Sequence, residues 1–141
     1  MSDDLETWEP RPVPVTTPET EPYWAGASEG VLRLKRCTDC GVTYHYPRAH
    51  CPDCGSQATE WVESEGTGEL YSFSIQRQTP AWPDEALPLV LAYVELDEGP
   101  RMMSNVVDCD PDDLEIGDRV AVRFVPTEDD DVAVPVFAPV E

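Results

Sequence analysis

A mainly β chain is predicted, with a short helix near the N-terminus, a small metal-stapled ribbon and a closed barrel of five strands. Three observations predict it. Two Cys-x-x-Cys doublets, Cys37/Cys40 and Cys51/Cys54, stand ten residues apart. Five later segments alternate apolar and polar residues or run apolar between Gly- and Asp-rich turns, and only one short stretch has helical spacing. At 141 residues the chain is long enough for one compact barrel with a small attached module, not for two full hydrophobic cores.

From the N-terminus, residues 1–21 are expected to form a disordered or polyproline arm, because Pro10, Pro12, Pro14 and Pro18 remove backbone donors and forbid the helical region to their predecessors. This arm contributes no core. Residues 22–36 supply a helix and a lead-in strand: TEPYWAGASE puts Tyr23, Trp24 and Ala27 at helical spacing behind Thr20 as cap, and Gly30 ends it. Val31, Leu32 and Leu34 then run as a strand into Cys37. Residues 37–60 form the ribbon.

The barrel occupies residues 61–141. Gly66-Thr67-Gly68 opens ELYSFSIQRQ, in which Tyr71, Phe73 and Ile75 share one face and Ser72, Ser74 and Gln76 the other. LPLVLAYVELD is apolar on both faces as far as Val94, as suits a buried strand, and the turn Asp97-Glu98-Gly99-Pro100 folds it onto RMMSNVV. Pro111 to Asp113 make a short helical connection. Ile116-Gly117-Asp118 turns into RVAVRFV, and the acidic turn Glu128 to Asp131 leads to a last strand, VAVPVFAP. Closing five such strands into a barrel removes exposed edges.

The cysteines carry the strongest chemical signal. Each doublet is followed by a glycine, Gly41 or Gly55, able to take the positive φ of a tight metal knuckle, so four thiolates can surround one ion. Zinc is the default, and four sulfurs fill its tetrahedron, leaving no position for water or substrate. The same doublets resemble rubredoxin-type knuckles, which bind iron and carry electrons, so iron stays the alternative. His45 and His50 lie inside the metal loop and are read as surface or supporting groups, not ligands. Cys109 has no histidine near it, and Asp108 and Asp110 raise its pKa, so it is read as a structural thiol.

Charge limits the partners. Twenty-nine acids against nine bases give −20, a field that repels phosphates and anionic lipid, and Lys35 is the only lysine. Such a composition is expected of a halophilic protein kept soluble in concentrated salt, where screening weakens the repulsion. From Trp61 to Pro126 the charge is about −10, so the basic groove of a nucleic-acid-binding barrel is missing. Residues 1–20 mix acids and prolines where a secretory signal would place a basic patch and an apolar run, and Leu87–Val94 is far shorter than the ~20 residues of a membrane span. The expectation is a cytoplasmic protein with neither nucleic acid nor membrane as partner.

Taken in order, EPYWAGASEGVLRLKRC, CGVTYHYPRAHCPDCGS, WVESEGTGELYSFSIQ, LPLVLAYVELDEGPRMMSNVV and LEIGDRVAVRFV resemble the zinc-ribbon/OB-fold family of acyl-CoA-associated proteins, long catalogued as a domain of unknown function. The resemblance covers Pro22 to Pro139. Its most specific elements are the two doublets with Tyr46-Pro47-Arg48 between them, the Gly-Thr-Gly start and VELDEGPRMMSN. It implies an N-terminal helix, a rubredoxin-like zinc ribbon and a C-terminal five-stranded OB-fold barrel. It also implies a non-catalytic accessory or scaffold subunit of a thiolase-type acyl-CoA enzyme, with thiolase-like and HMG-CoA synthase-like partners. Such a role suggests acyl-CoA contacts. Arg33, Lys35, Arg36 and Arg48 gather four of the nine bases around the ribbon and are candidates for the phosphate end, with pairing to nearby acids as the alternative. Trp82, between Pro80 and Pro83, is the candidate for the pantetheine path or a partner contact, with a core position as the alternative. The competing functions are an OB-fold nucleic-acid binder, an iron electron carrier and, last, an independent enzyme, which lacks an open metal site and a base–nucleophile pair.

Overall fold

The computed structural model of the chain describes residues 11–80, 82–84, 87–129 and 131–140. Helix α1 (Glu21–Ser28) is followed by a three-stranded antiparallel ribbon, β1 (Arg33–Cys37), β2 (Thr43–Tyr44) and β3 (Thr59–Glu63), in the order β2-β1-β3. Strands β4 (Thr67–Gln76), β5 (Leu89–Leu96), β6 (Arg101–Val106), β7 (Arg119–Pro126) and β8 (Ala133–Pro139) close a barrel in the order β4-β5-β6-β8-β7, with a 3-10 turn at Pro111–Asp113. This is the predicted mainly β architecture. No helix among the described residues is long and apolar enough to cross a membrane.

Pro22 sits in the first turn of α1, where its missing N–H costs nothing. Thr20 occupies the capping position but does not cap: its hydroxyl accepts from the Thr17 N–H at 2.9 Å. The helix ends as expected at Gly30, whose φ of 82° lets the Gly30 and Val31 amides donate back to Ala27 and Gly26.

Ribbon and barrel share one core. Tyr23 from the helix and Leu32 and Leu34 from the ribbon lead pack with Val94, Leu96, Met102, Val120 and Phe137 of the barrel, and Leu34 and Phe137 are fully buried. Each such side chain contributes about 1.5–3 kcal/mol of transfer free energy, so metal module and barrel are coupled through apolar contact.

Three expectations are corrected. In β4 a bulge falls between Leu70 and Ser72, so Leu70 is buried while Tyr71 turns out to solvent instead of sharing a face with Phe73 and Ile75. In β5 the residues Val90, Ala92, Val94 and Leu96 point inward, but Leu91 and Tyr93 are exposed, so the strand is buried on one face only. The expected arm is anchored at Arg11, while residues 12–19 are mostly exposed. Arg11 is buried, its N–H donates to Pro126 at 3.0 Å, and its carbonyl accepts from Glu128 at 2.9 Å. Residues 1–10 lie outside the described residues.

Candidate metal centre and adjoining groove

The two knuckles repeat one local geometry. Cys37 ends β1; the Cys40 N–H reaches its sulfur at 3.4 Å, and Gly41, at φ 81°, returns its N–H to the Cys37 carbonyl at 2.9 Å. In the second knuckle Asp53 and Cys54 donate to Cys51 Sγ at 3.4 and 3.5 Å, and Gly55, at φ 77°, bonds the Cys51 carbonyl at 2.9 Å. In the first knuckle the N–H groups favour the thiolate form of Cys37. The backbone N–H of Cys40 leads the causes that bring the Cys37 thiol down to about 7.

All four sulfurs lie within 4.8 Å of one another, with Cys37 to Cys54 and Cys40 to Cys51 at 3.6 Å. A tetrahedral ion with metal–sulfur bonds of about 2.3 Å needs sulfur–sulfur edges of about 3.8 Å, so Cys37, Cys40, Cys51 and Cys54 fit a structural metal ion with every position taken. Among the described residues no other cluster of His, Cys, Asp or Glu has metal-site geometry.

The histidines separate. His50 is exposed, with Nε2 2.9 Å from Gln57 Nε2. His45, expected at the surface or supporting the metal, is instead buried between the rings of Tyr23 and Tyr46, with centroids at 5.5 and 4.6 Å and Nδ1 unpartnered. Burial lowers its pKa to about 4 and keeps it neutral at pH 7.

His45 lies on the wall of a groove of about 550 Å³ where the anchored arm, α1, the ribbon loop and the edges of β6 and β8 meet. Strands β6 and β8 pair in the ladder at a single position, Val106 with Phe137, and beside it the Ser104 hydroxyl donates to the Pro135 carbonyl at 3.0 Å. Tyr46, Trp24, Trp82 and Met103 give the groove an apolar and aromatic lining. Arg11 stretches across it, holding Asn105 Oδ1 at 2.8 Å and lying 5.0 Å from the Trp82 ring centre.

The five residues proposed to meet acyl-CoA are not gathered into one site. The stem of Arg33 packs on Gly26, and its guanidinium binds the Pro22 carbonyl at 3.1 Å and Glu29 at 3.7 Å, so it joins helix to ribbon. Lys35 lies 4.9 Å from the Trp61 ring centre, whereas Arg36, opposite Glu60, points to the other side of β1. Arg48 is exposed, and its carbonyl accepts from the Tyr44 hydroxyl at 3.0 Å. Only Trp82 lines the groove. Arg11 and Asn105 escaped sequence reasoning because one sits in a Pro-rich arm and the other in an ordinary strand pattern. Cys109 is half-buried against the cluster of Leu70, Val90 and Leu114.

The ChsH2 rubredoxin-like zinc ribbon domain model matches residues 24–60, and the ChsH2 C-terminal OB-fold domain model matches residues 61–125. A probable enoyl-CoA hydratase alpha subunit of Thermomonospora curvata is 36% identical over 92% of this chain, which spans only 40% of that relative's length. A DUF35 domain-containing scaffold protein of Methanothermobacter thermautotrophicus is 42% identical over 66% of this chain and 71% of its own. Among solved structures, the Ltp2-ChsH2(DUF35) aldolase chain superposes with a TM-score of 0.78 at 34% identity, covering 89% of this chain and 98% of that one. With both ChsH2 models in tandem, and with most of the scaffold protein and of the aldolase chain matched in this way, the chain belongs to the DUF35 family of zinc-ribbon/OB-fold proteins.

Proposed function

We propose that this chain is a non-catalytic accessory subunit that docks onto an acyl-CoA enzyme of the thiolase type, with an HMG-CoA synthase-like enzyme as a further partner. One observation carries the reading: four cysteine sulfurs stand where one ion would take them all, leaving no open coordination position for chemistry, in a small head joined to the barrel by the apolar core of Tyr23, Leu32 and Leu34. The relatives named scaffold proteins support the non-catalytic part of this reading, and those named as a hydratase alpha subunit and an aldolase support the association with acyl-CoA enzymes. Zinc is the ion in this reading, since a closed four-thiolate site suits a metal with no redox duty; visible absorption of the purified chain separates it from iron.

The charge of −20 suits a cytoplasm rich in salt and speaks against a nucleic-acid partner. For acyl-CoA the groove offers an aromatic ledge at Trp82 for the pantetheine arm, and the exposed Arg36 and Arg48 supply cations for the phosphate end. Arg33 serves the fold in this reading.

The test is affinity capture of the full chain from its native cell at high salt, with mass spectrometric identification. A thiolase-type or related acyl-CoA enzyme subunit is expected in near-equal amount; recovery of the chain alone, or with nucleic acid, overturns the reading. Reversing Arg36 and Arg48 to Glu is expected to weaken acyl-CoA binding by the assembled complex at least tenfold, and unchanged affinity removes the coenzyme contact.

A further inference from the structure

The bulge in β4 and the alternation of β5 have a joint consequence on the outside of the barrel. Tyr71, Leu91, Tyr93 and Met103 expose 47, 40, 42 and 45% of their surface. They are neighbours: Tyr93 pairs across to Met103 on β6 and to Ser72 on β4, next to bulged Tyr71, while Leu91 is two residues along β5 on the same face. Four large apolar side chains on three adjoining strands make a patch of roughly 350 Å², within the range that marks interaction sites on otherwise soluble surfaces. Met103 also lines the groove, so the patch runs on into Tyr46 and Trp82.

The charges around the patch indicate its occupant. Glu69 and Glu95 are cross-strand partners at its tyrosine end. Two cations stand there: Arg101 is committed to Glu95 at 3.0 Å and to the Tyr71 ring at 3.8 Å, and Arg119, opposite Glu69, is held by Asp97 at 2.8 Å, so the three acids outnumber them. A second copy of a chain carrying −20 would bring its own acids against these, which disfavours self-association through this face. A surface with apolar side chains at its centre and Lys or Arg at its rim fits both features. The patch alone is less than half of the roughly 800 Å² per partner of a standard interface, so the groove and a polar rim must supply the rest.

We infer that the outer face of β4, β5 and β6, centred on Tyr93 and continuous with the groove, is the surface on which the partner enzyme subunit docks, through an apolar patch of its own rimmed by basic residues. The inference rests on the accessory-subunit reading and assigns the surface for it. Burying these side chains needs no change in the barrel, whose interior is already filled by the alternate residues of the same strands.

The experiment uses the full chain and the acyl-CoA enzyme subunit captured with it, remixed at high salt. Tyr93→Glu and Met103→Glu are each expected to weaken the complex at least tenfold while melting temperature and metal content stay at wild-type values. A photo-crosslinking amino acid at position 93 is expected to trap the enzyme subunit, and the same probe at Thr38 on the ribbon is not. Full affinity in both variants, with no crosslink at 93, overturns this surface while leaving the accessory role intact. Failure of the unmodified chain to capture an acyl-CoA enzyme removes the role and the surface together. A chain that self-associates through position 93 by crosslinking and light scattering assigns the patch to a second copy instead, and also overturns the inference.

Discussion

Among the glycines, Gly68 has the tightest surroundings. It pairs with Leu96 on β5 and with Val120 on β7, at the point where β4 is held between both neighbours. A Cβ built there would stand 2.3 Å from the Glu95 carbonyl oxygen and 3.0 Å from Leu96 Cα, both backbone atoms that cannot rotate away. Acceptable carbon–oxygen contact begins near 3.3 Å, so Gly68→Ala requires β4 and β5 to part by about 1 Å. The shift weakens the hydrogen bonds on either side, each worth about 1 kcal/mol, and adds overpacking strain, for a total of about 3 kcal/mol. At roughly 4 °C per kcal/mol for a chain of this size, the melting temperature falls by about 12 °C. Gly30→Ala is the matched control: φ is 82° there and nothing lies within 4 Å of the added carbon, so only backbone strain of about 1 kcal/mol is expected. Thermal unfolding followed by circular dichroism measures both. Equal losses at the two positions, or a loss under about 1 kcal/mol for Gly68→Ala, would refute the steric argument for barrel closure.

Two further predictions follow from the site. Removing the metal with a strong chelator is expected to melt the whole chain at lower temperature, not the ribbon alone, because Leu32 and Leu34 on the lead into Cys37 belong to the barrel core; an apo chain with an unchanged melting temperature would contradict the shared core. Because the folded His45 titrates near 4, below the ordinary histidine value of 6.5, the unfolded state binds the extra proton first, so the chain loses stability as pH falls from about 6.5 to 4. His45→Gln is expected to flatten that part of the stability profile by an amount on the order of 3 kcal/mol, and an unchanged slope relative to wild type would show that His45 is not held neutral by burial.

Much of the molecule is legible in local sequence, because the relevant physics is local. Each cysteine doublet with its glycine makes a knuckle through contacts within a few residues, since the positive φ at Gly41 and Gly55 and the short loop bring sulfur and amide together. The period-two runs and Gly-Asp turns mark the barrel strands for the same reason. Alternation alone, however, carries no register. At Tyr71 a bulge shifts the face, and at Leu91 and Tyr93 apolar residues point to solvent, because inside and outside are settled by which neighbours the strand receives.

The candidate site divides along the same line. By itself the sequence determined which four cysteines gather into one cluster and the order of helix, ribbon and barrel, since each depends on contacts between residues close in the chain. Only the tertiary structure decided that Arg11 crosses a groove to Asn105, that Arg33 ties the helix down while Trp82 lines a cavity, and that His45 is buried between tyrosines. Those placements depend on residues up to 94 positions apart meeting over a common core, and no local pattern encodes the free energy of such a meeting.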